Sequence, residues 1–186
     1  LGDNIVADLS LANHLIAHYG DRTLIAFGSG TINDLCKYAS FKAGRDYCLF
    51  PSAASMNGYL SKFASIKVEG LNKSYAAHLP KIVYTDLTII SEAPQRLYYS
   101  GLGDLLCSVN THLEWWSAHH YDDNGYQAEL VSLIEGLEDE FLSGLDLEEP
   151  GITKFAQLMK LVFYSGLVMT VTGGSSSASQ SEHLFA

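Results

Sequence analysis

Apolar and polar positions fall into distinct blocks along the first half of the chain. Residues 11–19 (LANHLIAHY) space their apolar side chains at helical intervals after Ser10, which predicts an amphipathic helix with Ser10 as N-cap. The run Leu24-Ile25-Ala26-Phe27 is continuous, the pattern of a buried strand over residues 23–27. Ile32, Leu35, Cys36 and Ala39 then share one face of a helix predicted over 31–41. Residues 46–50 (DYCLF) and 81–85 (KIVYT) read as further buried strands. Residues 66–69 and 74–77 read as a hairpin about Gly70-Leu71-Asn72, and 52–61 as a loop of small residues. Strands alternating with helices predict a parallel sheet with crossovers. The pattern changes at Ala93-Pro94. Helices are predicted within 97–120, 127–142 and 152–169, joined by loops at 122–125 and 144–151, and the stretch 173–179 (GGSSSAS) resembles a flexible linker without having to be one. The fold class is therefore α/β, with a parallel-sheet part over residues 1–94 followed by an all-α part over 95–186.

Composition narrows the functional classes. Hydrophobic residues make up 47% of the 186, enough for a buried core. With 21 acidic and 11 basic side chains the formal charge is −10, and no two Lys or Arg are adjacent. That balance argues against a nucleic-acid partner, whose phosphate backbone calls for clustered cations. A small anionic ligand needs only a few local donors. Cys36, Cys48 and Cys107 are widely spaced, form no CxxC, and read as free thiols of a reducing compartment. The most apolar segment, 158–171, is interrupted by Lys160, Tyr164, Ser165 and Gly166, so no membrane span is expected. No signal peptide is visible and the cytoplasm is the expected compartment. The chain opens on Leu1 and stops at Ala186 inside a helix-like pattern, which reads as part of a longer protein.

The stretch 23–40 carries the clearest chemistry. Gly28-Ser29-Gly30 stands between a strand and the helix opening at Thr31. Glycines admit close backbone approach, and the free N–H groups of a helix start favour an anion, so a phosphorylated ligand and first a nucleotide are expected. Plain packing of a βα turn explains the same residues. The loop departs from the dinucleotide fingerprint G-x-G-x-x-G, since Asn33 occupies the third glycine position. Asp104, after Gly101 and Gly103 in an apolar context, needs a cation, a metal or donors; a helix N-cap is the alternative. His183 could supply a metal nitrogen, or be an ordinary polar side chain. His119 and His120 are adjacent and point about 100° apart on a helix, which suits a solvated helix end better than chelation. Trp115-Trp116 lacks basic neighbours and reads as packing, and the carboxylates of 135–149 read as solvated faces. Neither GxSxG nor GxxxxGK[ST] occurs.

Taken in order, several motifs agree: Gly28-Ser29-Gly30-Thr31-Ile32-Asn33-Asp34-Leu35-x-Lys37-Tyr38-Ala39, Ser52-Ala53-Ala54-Ser55-Met56-Asn57-Gly58-Tyr59-x-Ser61, Ala93-Pro94-x-Arg96, Gly101-x-Gly103-Asp104-Leu105-Leu106 and Ser181-Glu182-His183. The set resembles the glycerol-1-phosphate dehydrogenases, which sit with glycerol dehydrogenases and dehydroquinate synthases in an iron-alcohol-dehydrogenase-like superfamily. The likeness runs from about Phe27 to the C-terminus. It implies a Rossmann-like N-terminal cofactor part, incomplete here, and a helical metal and substrate part. By resemblance, Gly28, Gly30, Thr31, Ile32, Asn33 and Asp34 would contact the pyrophosphate of NAD or NADP. Ser52, Ala53, Ala54, Ser55 and Ser61 would line the nicotinamide side. Asn57 and Asp104 would meet substrate, and Asp104 with His183 would ligate Zn²⁺ or Ni²⁺, the pair that would carry catalysis. The implied reaction is interconversion of dihydroxyacetone phosphate and sn-glycerol 1-phosphate by a homo-oligomer. Five positions depart from the family pattern: Asn57 replaces a usual Asp, Ser108 a usual Lys or Asn, Ser176-Ser177 a usual Arg-Pro and Gln180 a usual Gly. These departures raise a diverged, nucleotide-binding member, or one with another polyol substrate, as alternatives.

Overall fold

The computed structural model describes residues 5–122, 125–145 and 150–181. Helix α1 (Leu9–Tyr19) opens the described chain, followed by β1 (Leu24–Gly28), α2 (Gly30–Lys42) and β2 (Tyr47–Pro51). A 3-10 turn (Asn57–Leu60) leads to the strands β3 (Phe63–Val68), β4 (Leu71–Ala76) and β5 (Ile82–Val83). Then come α3 (Leu87–Ser91), α4 (Gln95–Leu106), α5 (Ser108–His119), α6 (Ala128–Leu142) and α7 (Ile152–Thr172).

The expected parallel sheet is present in the order β1-β2-β5, with Ile25 opposite Cys48 and Cys48 opposite Ile82. A crossover through α2 makes β1 and β2 parallel neighbours. The three strands are not buried on both faces as their apolar runs predict. Ala26, Tyr47 and Leu49 point into the core, but Ile25, Phe27, Ile82 and Tyr84 are more than half exposed. On that outer face Phe27, Phe50 and Tyr84 form a row, with successive ring centroids 5.0 Å apart. The strand predicted over 81–85 shrinks to Ile82–Val83, because Asp86 is used differently. It caps α3, accepting from the Thr88 N–H at 2.9 Å.

The hairpin exists as β3 and β4, but its turn falls at Glu69 and Gly70, both at positive φ, and Leu71 and Asn72 already belong to β4. The cap of α1 is Asp8, not Ser10. Asp8 has extended backbone and its Oδ1 accepts from the Leu11 N–H at 2.7 Å, whereas Ser10 lies inside the helix.

Two clusters make the core. The larger joins the inner sheet face to the helices, bringing Ala26, Tyr47, Leu49 and Tyr59 together with Leu102, Leu158, Leu161 and Val162. The smaller packs Ala12 of α1 against Leu35, Tyr38, Ala64 and Ile66. Among the described residues α7 alone is long and apolar enough to cross a membrane by length and composition, and its burial among the other elements accounts for that apolarity. Cys36 is buried and Cys48 and Cys107 are half-buried, and none of the three is in a disulfide. Trp115 is packed inside, as expected; Trp116 is about half exposed.

Candidate cofactor and substrate site

The glycine loop turns the chain from β1 into α2 with little room to spare. A Cβ on Gly28 would lie 2.6 Å from Ile32 Cγ1, and one on Gly30 would lie 2.8 Å from the Met56 sulfur. The Asn33 N–H is already bonded to the Ser29 carbonyl at 3.1 Å, so the N–H groups of Gly30, Thr31 and Ile32 are those a helix start leaves without an intrahelical acceptor. Gly30 and Thr31, with Ser29 and Asp34, line one side of a cleft of about 430 Å³. Ser55 and Met56 form a second wall, and Ser65 and Lys67 of the hairpin a third.

The next two motif residues turn inward. Asn33 is fully buried, accepts from the Tyr47 hydroxyl at 3.1 Å and donates to Asp34 Oδ1 at 3.0 Å. Asp34 Oδ2 accepts from the Ser65 N–H at 3.0 Å. Burial pushes the Asp34 carboxyl up, against the opposing pull of Lys37, the Ser65 N–H and Asn33. What the loop offers a ligand is mainly its backbone, with Asn33 bracing it from behind and Asp34 reaching the cleft wall while bonded to the Ser65 N–H.

Lys37 received no role from sequence, yet it organises this region. It is fully buried, and its Nζ donates to the carbonyls of Gly58 (2.6 Å), Ser61 (3.1 Å) and Phe63 (3.1 Å). Burial pushes its ammonium down to about 8, partly offset by Asp34. One side chain of α2 thus fixes the far end of the 52–61 loop. The clue available in the sequence was its apolar neighbourhood, Leu35-Cys36-Lys37-Tyr38-Ala39, where a cation needs several acceptors.

The rest of that loop is gripped by two helices. A Cβ on Gly101 of α4 would collide with the Ala54 carbonyl, and one on Gly166 of α7 would lie 2.5 Å from the Asn57 carbonyl oxygen. Thr170 adds a bond from Oγ1 to the Leu60 carbonyl at 2.9 Å. Ser52 donates its N–H to the Gly28 carbonyl at 3.0 Å, Ala53 and Ala54 are buried, and the Ser61 hydroxyl bonds Gly58 and Phe63 carbonyls. The Tyr59 hydroxyl donates to the Ala53 carbonyl at 2.7 Å and pairs with Ser55 Oγ at 3.1 Å.

Asp104 lies near the C-terminal end of α4, so a helix N-cap is ruled out. Its Oδ2 accepts from the Asn57 N–H at 2.9 Å, which joins two motif residues 47 positions apart. The Asn57 amide Nδ2 in turn donates to the Ala178 carbonyl at 3.4 Å. The segment after α7 is not a loose linker. Gly173 ends the helix in the left-handed region, Ser177 and Ala178 are buried, and Ser181 bonds Glu114 of α5 through both its N–H and its hydroxyl. Ser176 accepts from Gln180, and Ser108, at the start of α5, is buried. His183 lies outside the described residues. Among those described, no group of three or more His, Cys, Asp or Glu is arranged to hold a metal.

The family model of iron-containing alcohol dehydrogenase matches residues 5–94. In solved structures the fold is similar to an iron-containing alcohol dehydrogenase from Thermotoga maritima (TM-score 0.70, 12% identity, 90% of this chain and 51% of that one). It is equally similar to a probable glycerol dehydrogenase from Sinorhizobium meliloti (TM-score 0.69, 18% identity, 90% and 51%). The fold is thus that of the iron-containing alcohol dehydrogenases and glycerol dehydrogenases. Within that class the sequence is 34% identical over 166 residues to a glycerol-1-phosphate dehydrogenase [NAD(P)+] of Pyrococcus furiosus, covering 87% of this chain and 47% of the relative. Another, from Methanobrevibacter smithii, is 32% identical over 163 residues, again covering 47% of the relative. The chain is thus similar in sequence to glycerol-1-phosphate dehydrogenases, and it spans about half the length of the curated relatives it matches.

Proposed function

We propose that this chain supplies the cofactor loop and part of the substrate pocket of an NAD(P)-dependent, metal-dependent dehydrogenase acting on dihydroxyacetone phosphate and sn-glycerol 1-phosphate. The bond between the Asn57 N–H and Asp104 carries the reading, because it draws the second and fourth motifs together beside the glycine loop. A dinucleotide fits the residues present: the Cβ-free approach at Gly30 and the helix-start backbone of Gly30 and Thr31 at the cleft suit a pyrophosphate. Of the residues that the resemblance assigns to the nicotinamide side, Ser55 lines this cleft, whereas Ala53, Ala54 and Ser61 are buried and would support it from behind. When bound, the nicotinamide supplies a hydride donor or acceptor. The chain itself binds and orients: α2 meets the phosphates, Lys37 holds the loop, and Asp104 aligns Asn57. A metal is a separate matter. The resemblance assigns Zn²⁺ or Ni²⁺ to Asp104 and His183, but the described residues bring one carboxylate and no complete donor set. No step is derived through it. Assembly into a homo-oligomer, a place in phospholipid biosynthesis and a cytoplasmic setting belong to the same proposal.

One observation favours the second reading, a diverged member. Asn57 uses its amide N–H₂ to hold the Ala178 carbonyl, a bond that the usual Asp could not donate. The natural protein carrying this sequence, with Zn²⁺ or Ni²⁺ added, is expected to oxidise NADH or NADPH when given dihydroxyacetone phosphate. If it binds NADH in a fluorescence titration yet turns over only after Asn57→Asp, the diverged reading holds. Neither binding nor turnover in any combination would overturn both.

A further inference from the structure

Helices α5 and α6 border a cavity of about 210 Å³ that shares no lining residue with the cleft at the glycine loop. Val109, His112 and Trp116 line it from one face of α5, and Val131, Glu135 and Glu138 from one face of α6. Tyr126, between the two helices, adds a phenol ring to the wall. The carboxylates here are not the solvated face that the sequence suggests. Glu138 is half-buried, and its Oε1 is shut off from solvent without a hydrogen-bond partner. Burial pushes its carboxyl up, and Glu135 and Asp139 add to the rise; the nearby Ser108 hydroxyl opposes it without completing a hydrogen bond. His112 is only 8% exposed, and no described residue hydrogen-bonds its ring. Burial lowers this imidazole, which leaves it neutral at neutral pH with one lone pair to offer. Positive charge is scarce on this side. Neither α5 nor α6 contains a Lys or Arg. Lys160 reaches Glu140 at 3.8 Å, whereas Glu135 and Glu138 have no ion pair among the described residues.

We propose that the cavity between α5 and α6 binds a small primary ammonium compound with an apolar body. The ammonium head carries three donors and no acceptor, and this wall offers the complement: two carboxylates without a cation and a neutral imidazole without a donor. A carboxylate held out of water without a partner is costly, and a bound cation offsets that cost. The rings of Trp116 and Tyr126 attract the same charge through their faces, while Val109, Leu113 and Val131 give an apolar stem its contacts. An anion is disfavoured by the charge of both helices. A metal ion fits less well, since no group of three or more His, Cys, Asp or Glu among the described residues is arranged to hold one. The volume lies below the roughly 300–1,000 Å³ of sites for drug-sized molecules, so the ligand is small. The inference is independent of the dinucleotide and of Asp104.

Benzylammonium is the probe, and benzyl alcohol is its uncharged counterpart of similar shape. Calorimetric titration of the protein is expected to show one saturable benzylammonium equivalent in the millimolar range, with the alcohol at least about ten-fold weaker. Glu135→Gln and Glu138→Gln should each weaken the ammonium by about five-fold and leave the alcohol unchanged. Trp116→Leu, at a position about half exposed, should weaken the ammonium by about three-fold. Binding should persist in Asp104→Asn, with circular dichroism unchanged throughout. If a variant fails to fold, the ammonium and the alcohol compared on the wild type still decide the matter. Equal affinity for the two probes, unchanged ammonium affinity in both glutamate variants, or no saturable binding at millimolar concentrations overturns the proposal.

Discussion

Replacing Lys37 with Met tests whether one buried ammonium holds the site loop. The change keeps an unbranched side chain of similar length and removes the charge and all three donors. Three carbonyls at 2.6, 3.1 and 3.1 Å lose their partner, and Asp34 loses the cation nearest to it in the interior. Breaking a buried ionic arrangement by removing one member costs about 3–5 kcal/mol. Hydrogen bonds to a charged group are worth roughly 1.5–3 kcal/mol each, so three of them reach that range without Asp34. Relief of the lysine's own desolvation and the packing of the thioether return part, which leaves about 3 kcal/mol as the expected loss. Urea unfolding followed by circular dichroism reads it as a midpoint lowered by roughly 1–2 M. A second readout uses protons. Because burial lowers Lys37 from 10.5 to about 8, the unfolded chain binds more protons between those values, and wild-type stability rises with pH across that window. Lys37→Met should abolish this increment. A loss below about 1 kcal/mol, with the pH increment retained, would refute the assigned role.

Gly166→Ala should force α7 away from the Asn57 and Leu60 backbone and cost about 1–3 kcal/mol, measured by thermal unfolding; an unchanged Tm would show that the contact is slack. Burial lowers the His112 imidazole, with Glu135 opposing. The unfolded chain therefore takes up that proton first as pH falls through 6.5, and stability should drop there. His112→Gln should flatten that slope in urea midpoints measured from neutral to mildly acid pH, and an identical slope would exclude it as the source. Glu114→Ala should release Ser181 and raise amide exchange over residues 175–181, with α5 itself unaffected; exchange equal to wild type would mean that Asn57 alone holds the segment.

The longer helices and the parallel β1-β2 pair were legible because their apolar spacing matches their geometry, whereas the short α3 was not. The βα turn was legible because glycine is needed where Ile32 and Met56 crowd the backbone. Burial of the sheet was not, since a run such as KIVYT says apolar without saying which face is covered, and Ile82 and Tyr84 are exposed. The cap of α1 was misplaced by two residues because Asp8 and Ser10 are both good caps and only backbone geometry selects Asp8. The 173–179 stretch looked like a linker by composition, but small residues also suit a tight turn whose Ser177 and Ala178 are buried. Lys37, Glu114 and Gly166 act through partners more than 20 positions away; the apolar neighbours of Lys37 say that it needs acceptors, but nothing local names the partners of any of the three.

The glycine contacts decide which parts can move together. Gly101 and Gly166 put α4 and α7 in backbone contact with residues 54, 57 and 60, leaving no side chain between them to act as a bearing. The loop 54–60 therefore travels with the helices that follow it, although it belongs in sequence to the sheet half. Opening the cleft without breaking those contacts swings the β1–α2 turn away from Met56 and stretches the Lys37 tether. The mechanical seam thus runs between Gly30 and Met56, and a ligand seated there would bolt the two sides together.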